Sequence, residues 1–186
     1  GRISAPGLCL SCSKSGAESG IYFDVIRGIC LYEGTIKKLI YSFKYGKKDF
    51  LSKFLSELME KNPLLNRCDY IVPVPLHWKK EFFRGFNQSE LLSRHLSGKT
   101  GKPLLTGILK RKKATSSQAG LTRGARMENV KNAFFAKETS VFRSKQILLI
   151  DDVSTTCATL NQCAKALKES GAASVSCLTL ARDVIS

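Results

Sequence analysis

Near its carboxyl end the chain reads ILLIDDVSTTCATL, at residues 147–160. The four apolar residues that open this run have the length and composition of a strand that is buried on both faces. Two acids follow at once, and the small hydroxyl-bearing residues after them open a helix that is expected to stop near Gly171. A buried strand that turns directly into a helix is the repeating unit of a parallel sheet.

Similar units occur on either side of this run. Short apolar segments occupy residues 70–74, 104–109 and 175–180, and a helix is predicted after Asn87. Near-continuous apolar strands that alternate with helices predict an α/β fold, in which helices flank a central parallel sheet on both faces.

The chain before residue 62 is predicted to form a helical hood, after a first strand at residues 21–25. Four apolar residues at helical spacing form one face of its first helix: Ile36, Leu39, Ile40 and Phe43. Asp49 is positioned to cap a second helix, whose expected buried residues are Phe50, Phe54, Leu55 and Leu58. We expect residues 1–20 to form a small Cys-x-x-Cys segment and residues 21–186 one domain, with the hood at 21–62 and the core at 69–186.

Composition narrows the class of protein. The 186 residues are 43% hydrophobic, which is enough for one sizeable core. The formal net charge of +15 favours a polyanionic partner or a phosphorylated small molecule, although a basic surface that serves only solubility explains it equally well. No apolar run approaches the roughly 20 residues that cross a bilayer, and no secretory leader opens the chain, so we expect a cytoplasmic protein without membrane insertion.

The acid pair and the hydroxyl-rich turn after it have the composition of a phosphate and ribose site. Backbone N–H groups at a helix start and threonine hydroxyls can donate to a phosphate, and the helix dipole favours the anion. Asp151 and Asp152 are positioned to accept from two ribose hydroxyls and to hold Mg²⁺, directly or through water. A structural interpretation stays open, in which the acids cap the helix and the threonines satisfy the turn.

The run at residues 147–160 resembles the signature of type I phosphoribosyltransferases, which bind 5-phosphoribosyl-1-pyrophosphate (PRPP). This resemblance implies a type I phosphoribosyltransferase-like fold, with Asp151 and Asp152 as catalytic acids that face the ribose and Mg²⁺. The residues that it implies for ribose and 5′-phosphate binding are Asp151, Asp152, Ser154, Thr155, Thr156, Cys157, Ala158 and Thr159. The family usually has glycine where this chain has Cys157, and a side chain there narrows the loop.

Two further runs, RGFNQ at residues 84–88 and QAGLTR at residues 118–123, resemble the narrower competence protein F (ComF) family. The resemblance covers about residues 23–186 and implies a pyrophosphate-binding side formed by Pro75, Lys79, Lys80 and Arg84. It also implies a mobile loop over the ligand, with Lys112, Gln118, Arg123 and Arg126. An ordinary helix start with a hydrophobic staple is the alternative interpretation of residues 86–88.

ComF proteins commonly carry an N-terminal zinc module built from pairs of Cys-x-x-Cys, and this chain has one such pair, Cys9 and Cys12. Zinc takes four ligands, so these two thiols bind Zn²⁺ only with further ligands, which a longer chain would supply. Two unliganded thiols are the alternative. The seven cysteines are odd in number and scattered, which fits reduced thiols better than disulfides.

Basic residues form two candidate surfaces for single-stranded DNA: Lys37, Lys38, Lys44, Lys47, Lys48, Lys110 and Arg111. Aromatic residues are interleaved with the first group, and positive charge beside exposed aromatic rings is how proteins hold single strands. The alternative is that the aromatic residues, Phe43 and Phe50 among them, belong to the core. ComF proteins take part in the uptake of single-stranded DNA, so the resemblance also implies DNA-uptake proteins as partners.

The sequence leaves three functions open. The first is a ComF-like protein that binds PRPP and serves DNA uptake in natural competence. The second is an active Mg²⁺-dependent phosphoribosyltransferase, which transfers the 5-phosphoribosyl group to a base or amine and releases pyrophosphate. The third is a module that binds single-stranded DNA and retains the fold only. An enzyme also needs a pocket for the acceptor base, for which the hood is the candidate region.

Overall fold

The computed structural model of the chain describes residues 20–46, 48–111, 133–137 and 140–183, and only the backbone of Lys79. Its centre is a 4-stranded sheet in which all neighbouring strands are parallel. The described strands in chain order are β1 (Val25–Leu31), β2 (Tyr70–Pro73), β3 (Leu109–Arg111), β4 (Phe134–Ala136), β5 (Gln146–Ser154) and β6 (Ser174–Arg182). The order across the main sheet is β1-β6-β5-β2, while β3 and β4 form a separate antiparallel pair.

Helices cover both faces of the sheet. The described α-helices are α1 (Gly34–Tyr45), α2 (Leu51–Glu57), α3 (Leu64–Arg67), α4 (Trp78–Arg84), α5 (Gln88–Thr100) and α6 (Ala158–Glu169). Among these residues, no helix is both long enough and apolar enough to cross a membrane. The predicted end of α6 is confirmed, because Ser170 closes the helix and Gly171 follows at a φ of +100°, a backbone conformation that favours glycine.

Alternate residues of β5 point to opposite faces of the sheet, and each face has its own core. Ile147 and Leu149 pack with residues of α6 and of the β3–β4 pair, whereas Leu148 and Ile150 pack with residues of α1, α2, α3 and α5. All four side chains are at most 1% exposed. The two-sided burial explains why the strand is apolar without interruption, and it confirms the predicted α/β fold.

The neighbours of β5 end at different points along it. Strand β2 pairs with β5 only from Ile147 to Ile150, whereas β6 follows β5 to its last residue, Ser154. The carboxyl-terminal half of β5, which includes both acids, therefore has a strand neighbour on one side only among the described residues. This difference in strand length opens the edge of the sheet at the acid pair, where ligands of α/β proteins bind.

Some predicted boundaries were wrong. The first strand begins at Val25, and residues 21–24 are not part of it. Within residues 104–109, a single bridge joins Leu104 to Ile71, and the regular pairing begins only at Leu109, with β4 as its antiparallel partner. The apolar composition of these residues does not predict where a strand begins or which strand it pairs with, because tertiary packing determines the partner strand.

The predicted burial of α2 was also largely wrong. Only Leu55 is buried, whereas Phe50 is 69% exposed, Phe54 is 51% exposed and Leu58 is 37% exposed. The helix instead turns Ser52, Leu55 and Ser56 inward, and the Ser52 hydroxyl lies 3.0 Å from Nε2 of His95 on α5. Asp49 does not cap the helix from its side chain, because its Oδ1 accepts from the adjacent Phe50 N–H.

The different burial of two phenylalanines in the hood predicts different effects on stability. Phe43 is fully buried and its ring centre lies 5.6 Å from that of Phe86, so Phe43→Ala should lower the free energy of unfolding by about 3–5 kcal/mol. Phe54→Ala, the exposed control, should change it by no more than about 0.5 kcal/mol. Urea denaturation measures both values, and equal losses would contradict this packing.

Candidate functional site

A cleft of about 160 Å³ lies at the carboxyl ends of β2 and β5. Its walls come from the segment after β2, strand β3, the end of β5, and helices α1, α4, α5 and α6. Charged side chains and two amides account for most of its chemistry: Lys44, Lys80, Arg84, Asn87, Gln88, Arg111, Asp151 and Asp152. A polar cleft in this position has the shape and charge of a site for a small anionic molecule.

The two acids of β5 both line the cleft and have different partners. Asp151 Oδ1 accepts from the Ser89 hydroxyl at 2.7 Å and from the backbone N–H of Asp152 at 2.9 Å. Asp152 Oδ2 lies 2.9 Å from the Lys44 ammonium group, in an ion pair whose side chains are 19% and 9% exposed. Helix α1 is thus tied to the end of β5 by Lys44, and helix α5 by Ser89.

Burial and neighbouring charges together set the pKa values of Asp151 and Lys44. Burial of the carboxyl group, together with the adjacent Asp152, raises the pKa of Asp151 to about 7, although the Ser89 hydroxyl and Lys44 favour the ionised form. Burial alone would lower the pKa of Lys44, but the Asp152 carboxylate outweighs it and the pKa is raised. Lys44 therefore stays charged, while the Asp151 carboxyl group changes from its protonated to its ionised form near neutral pH.

Positive charge in the cleft comes from Lys80, Arg84 and Arg111, besides Lys44. The pKa of Lys80 is lowered, first by burial and then by the nearby charges of Arg111, Arg84 and Lys44. Burial also lowers the pKa of Arg111. Cations held this close to one another repel, so an anion with several negative charges would relieve the repulsion on binding.

The segment at residues 84–89 serves both structure and site. Asn87 caps α5, because its Oδ1 accepts from the Ser89 N–H at 3.1 Å, and its Nδ2 donates to the Val74 carbonyl at 3.1 Å. These bonds fix the start of α5 beside the end of β2. Phe86 packs against Phe43 of α1, which is a contact between two elements and not the contact with Leu91 that a hydrophobic staple of α5 makes. Residues 84–89 therefore both cap α5 and line the cleft, so a helix start and a binding site are compatible interpretations of this segment.

Arg84 is held by contacts to two elements. Its Nη1 donates to Gln88 Oε1 at 2.9 Å, and its Nη2 donates to the Tyr45 hydroxyl at 3.3 Å. The guanidinium also lies over the Tyr45 ring, 5.0 Å from its centre. The position of this cation therefore depends on the last residue of α1.

The turn between β5 and α6 contains Cys157, at the position where the family signature has glycine. Cys157 has φ of 60° and ψ of 4°, the left-handed conformation in which a non-glycine residue costs roughly 1–2 kcal/mol. The surrounding core accommodates the side chain, which is 7% exposed. This conformation explains why glycine suits the position, and the loop is formed here in spite of the substitution.

The other predicted phosphate-loop residues are placed differently from one another. Thr159 lines the cleft. Ser154 is buried, with its hydroxyl 3.2 Å from that of Thr179, and it is not among the cleft-lining residues that the structure describes. Thr155, Thr156 and Ala158 are half-buried around the first turn of α6, where Thr156 Oγ1 accepts from the Ala158 N–H at 3.5 Å.

The predicted DNA-binding cations lie in two different environments. Lys44 and Arg111 lie in the cleft, whereas Lys37, Lys38, Lys48 and Lys110 are exposed. On the pyrophosphate side, Pro75, Lys80 and Arg84 line the cleft, and Lys79 lies on α4. Several predicted residues lie outside the described part of the chain: Cys9, Cys12, Lys47, Lys112, Gln118, Arg123 and Arg126. None of the five cysteines within it, which are Cys30, Cys68, Cys157, Cys163 and Cys177, forms a disulfide.

Sequence reasoning did not select Ser89 or Gln88 as site residues. Ser89 donates to Asp151, and Gln88 accepts from Arg84, one of the cations of the cleft. The available signal was the RGFNQ run itself, because the first turn of a helix that begins beside a parallel strand end faces the ligand-binding edge.

The raised pKa of Asp151 predicts how stability depends on pH. An acid whose pKa is raised by folding stabilises the fold below its unfolded value, near pH 4, and this contribution is lost as the pH rises through about 7. Asp151→Asn cannot ionise, so at about pH 8 it should be more stable than the wild type by on the order of 3 kcal/mol.

The two proteins should converge towards about pH 4, and Asp49→Asn, at an exposed residue, should follow the wild type at every pH. Urea denaturation across this range measures the effect. A loss of stability in Asp151→Asn at the alkaline end would contradict the electrostatic account.

Comparisons with known proteins agree with this geometry. The phosphoribosyl transferase domain family matches residues 84–185. Competence protein F of Haemophilus influenzae is 36% identical over 97% of this chain and 92% of its own length. Competence protein ComFC of Bacillus subtilis is 32% identical over 96% of this chain and 74% of its own length. DNA utilization protein YhgH of Escherichia coli is 33% identical over 81% of this chain and 69% of its own length.

Among solved structures, the glutamine PRPP amidotransferase of B. subtilis, complexed with ADP and GMP, matches 73% of this chain and 26% of its own. The identity is 18% and the TM-score is 0.45. The family assignment rests on the sequence matches, which extend over more than half of the chain. The chain belongs to the phosphoribosyltransferase family and, within it, to the competence protein F proteins.

Proposed function

We propose that this chain binds PRPP in the cleft lined by the acid pair and by Lys80, Arg84 and Arg111, and that it acts in the uptake of single-stranded DNA during natural competence. The observation that carries the binding is the meeting of Asp151 and Asp152 with Lys80, Arg84 and Arg111 around one cleft. The role in DNA uptake is supported by relatives whose names are competence protein F, ComFC and DNA utilization protein.

The charge distribution of the cleft matches that of PRPP. The ribose hydroxyls donate to the carboxylates of Asp151 and Asp152, and the diphosphate faces Lys80, Arg84 and Arg111. The 5′-phosphate lies at the amino-terminal end of α6, where N–H groups and the helix dipole favour an anion. A ligand with a diol between two phosphate groups thus uses the acids and the cations of the cleft at once.

The residues present fit Mg²⁺ as a partner of the ligand rather than as a fixed metal centre. Among the described residues there is no group of three or more His, Cys, Asp or Glu side chains that could hold a metal ion. Mg²⁺ commonly keeps several waters and binds through one or two carboxylates plus substrate phosphates. Asp151 and Asp152 are the residues that would hold it, and its charge would offset that of the diphosphate.

Lys44 is a component of the cleft in this proposal. Its ammonium group neutralises Asp152, so the ribose hydroxyls and Lys44 share the same carboxylate when the ligand binds. The acid pair then stays close to neutral overall, which limits the cost of burying two carboxylates side by side. Ligand affinity should therefore depend on the hood as well as on the sheet.

A surface of the hood favours direct contact with single-stranded DNA as a second function. Tyr41, Tyr45, Phe50 and Phe54 are between 51% and 69% exposed, and the Tyr41 and Tyr45 ring centres lie 4.9 Å apart. The exposed lysines of the same segment are Lys37, Lys38, Lys48 and Lys53. Exposed rings beside lysines provide stacking and phosphate contacts without base-specific readout.

The proposed ligand contacts predict the effect of removing the acids. Asp151→Asn combined with Asp152→Asn should weaken PRPP binding by about 100-fold or more, because charge-assisted hydrogen bonds to the ribose are lost. Circular dichroism should show an intact fold. Isothermal titration calorimetry measures the affinity, with Lys37→Met as a control at an exposed residue. Unchanged affinity in the double variant would sink the assignment of this site.

The exposed rings predict a separable effect on DNA. Tyr41→Ala combined with Phe54→Ala should weaken binding of a labelled oligothymidylate about tenfold or more, since each stacked base contributes roughly 1–3 kcal/mol. Fluorescence anisotropy measures this binding. Val141→Ala, an exposed apolar residue outside the hood, is the control. Equal DNA affinity in the double variant and the control would rule out this surface.

A further inference from the structure

Gln88 has an unusual environment within the cleft. Its side chain lines the cleft and the residue is only 2% exposed. Its Oε1 accepts from Arg84 Nη1 at 2.9 Å, but its Nε2 is buried and no residue in the described part of the chain accepts a hydrogen bond from it. A buried donor without an acceptor costs free energy, so such groups commonly serve a ligand.

The orientation of the Gln88 amide follows from Arg84. A guanidinium group only donates hydrogen bonds, so the oxygen of the amide must face Arg84 and the nitrogen must point away from it. Arg84 is itself held by the Tyr45 hydroxyl and ring. The chain from Tyr45 through Arg84 therefore presents the Gln88 N–H groups in a fixed direction.

The neighbours of Gln88 indicate which part of a ligand it meets. Arg84, four residues before it at the end of α4, is one of the cations of the cleft, and Ser89, directly after it, donates to Asp151. Gln88 thus lies between the groups that attract phosphate and the group that attracts ribose hydroxyls. In the proposed function, the ribose hydroxyls donate to the acids. The oxygens of a diphosphate are acceptors only, so they can accept from Nε2 of Gln88.

We propose that Gln88 is a specificity-determining residue, which donates from Nε2 to an oxygen of the ligand's diphosphate and is oriented for this by Arg84. The inference rests on the proposed function and adds to it a neutral donor beside the cations. Such a donor distinguishes a diphosphate arm from a ribose phosphate without that arm, because a ligand that lacks the arm leaves Nε2 unpaired.

Two variants separate this role from a structural one. Gln88→Met removes the donor at similar size and without adding charge. It should weaken binding of PRPP and of inorganic pyrophosphate about tenfold, and leave the affinity for ribose 5-phosphate within about twofold of the wild type. Gln88→Glu keeps an acceptor for Arg84, and it should unfold at the same urea concentration as the wild type or a higher one while PRPP binding falls.

Calorimetric titration of the full chain with PRPP, pyrophosphate and ribose 5-phosphate, each with Mg²⁺, measures the three affinities. Gln146→Met, at an exposed residue on the opposite end of β5, is the control. Equal loss of affinity for all three ligands, no loss for any, or lower stability in both Gln88 variants would overturn the inference and leave the proposed function standing. If the wild type binds none of the three, the proposed function fails and this inference fails with it.

Discussion

Two carboxylates side by side at the end of a buried strand repel each other, and the rest of the site is built around that repulsion. Asp152 is neutralised by Lys44 from α1, and Asp151 accepts from Ser89 of α5 and has its pKa raised to about 7. The strand continues past its neighbour β2, which exposes the pair to the cleft. Sheet, hood and α5 therefore meet at one pair of acids.

The hood connects this pair with the surface of the protein. Helix α1 turns Lys44 towards the acids and Tyr41 towards solvent, while Tyr45 at its end holds Arg84. Any ligand that changes the partners of Asp152 or Arg84 acts on this helix directly. The proposed PRPP site and the proposed DNA surface therefore share one element, which is a physical route by which occupancy of the first affects the second.

The sequence predicted the features that depend on local pattern. The apolar run before Asp151, the helix after Cys157 and the alternation of strands and helices follow from burial on two faces, and each is confirmed.

The features that could not be predicted from the sequence depend on what packs against a helix. Lys44 follows the buried Phe43 directly, and nothing local shows that it turns to an acid more than 100 residues away. Phe50 and Phe54 have the composition of core residues, yet α5 meets the serine-bearing face of their helix. Gln88 reads as part of a helix start, and only the folded cleft shows its unpaired nitrogen.

The most direct test of the central claim is a calorimetric titration of the unmodified protein with PRPP, with and without Mg²⁺ and with ribose 5-phosphate for comparison. We expect micromolar binding that Mg²⁺ strengthens, because the proposed site joins acids that accept from the ribose to cations that bind the diphosphate. Ribose 5-phosphate should bind more weakly, since it lacks the diphosphate. A folded protein that shows no heat of binding with PRPP would contradict the account and leave the DNA surface of the hood as the remaining functional candidate.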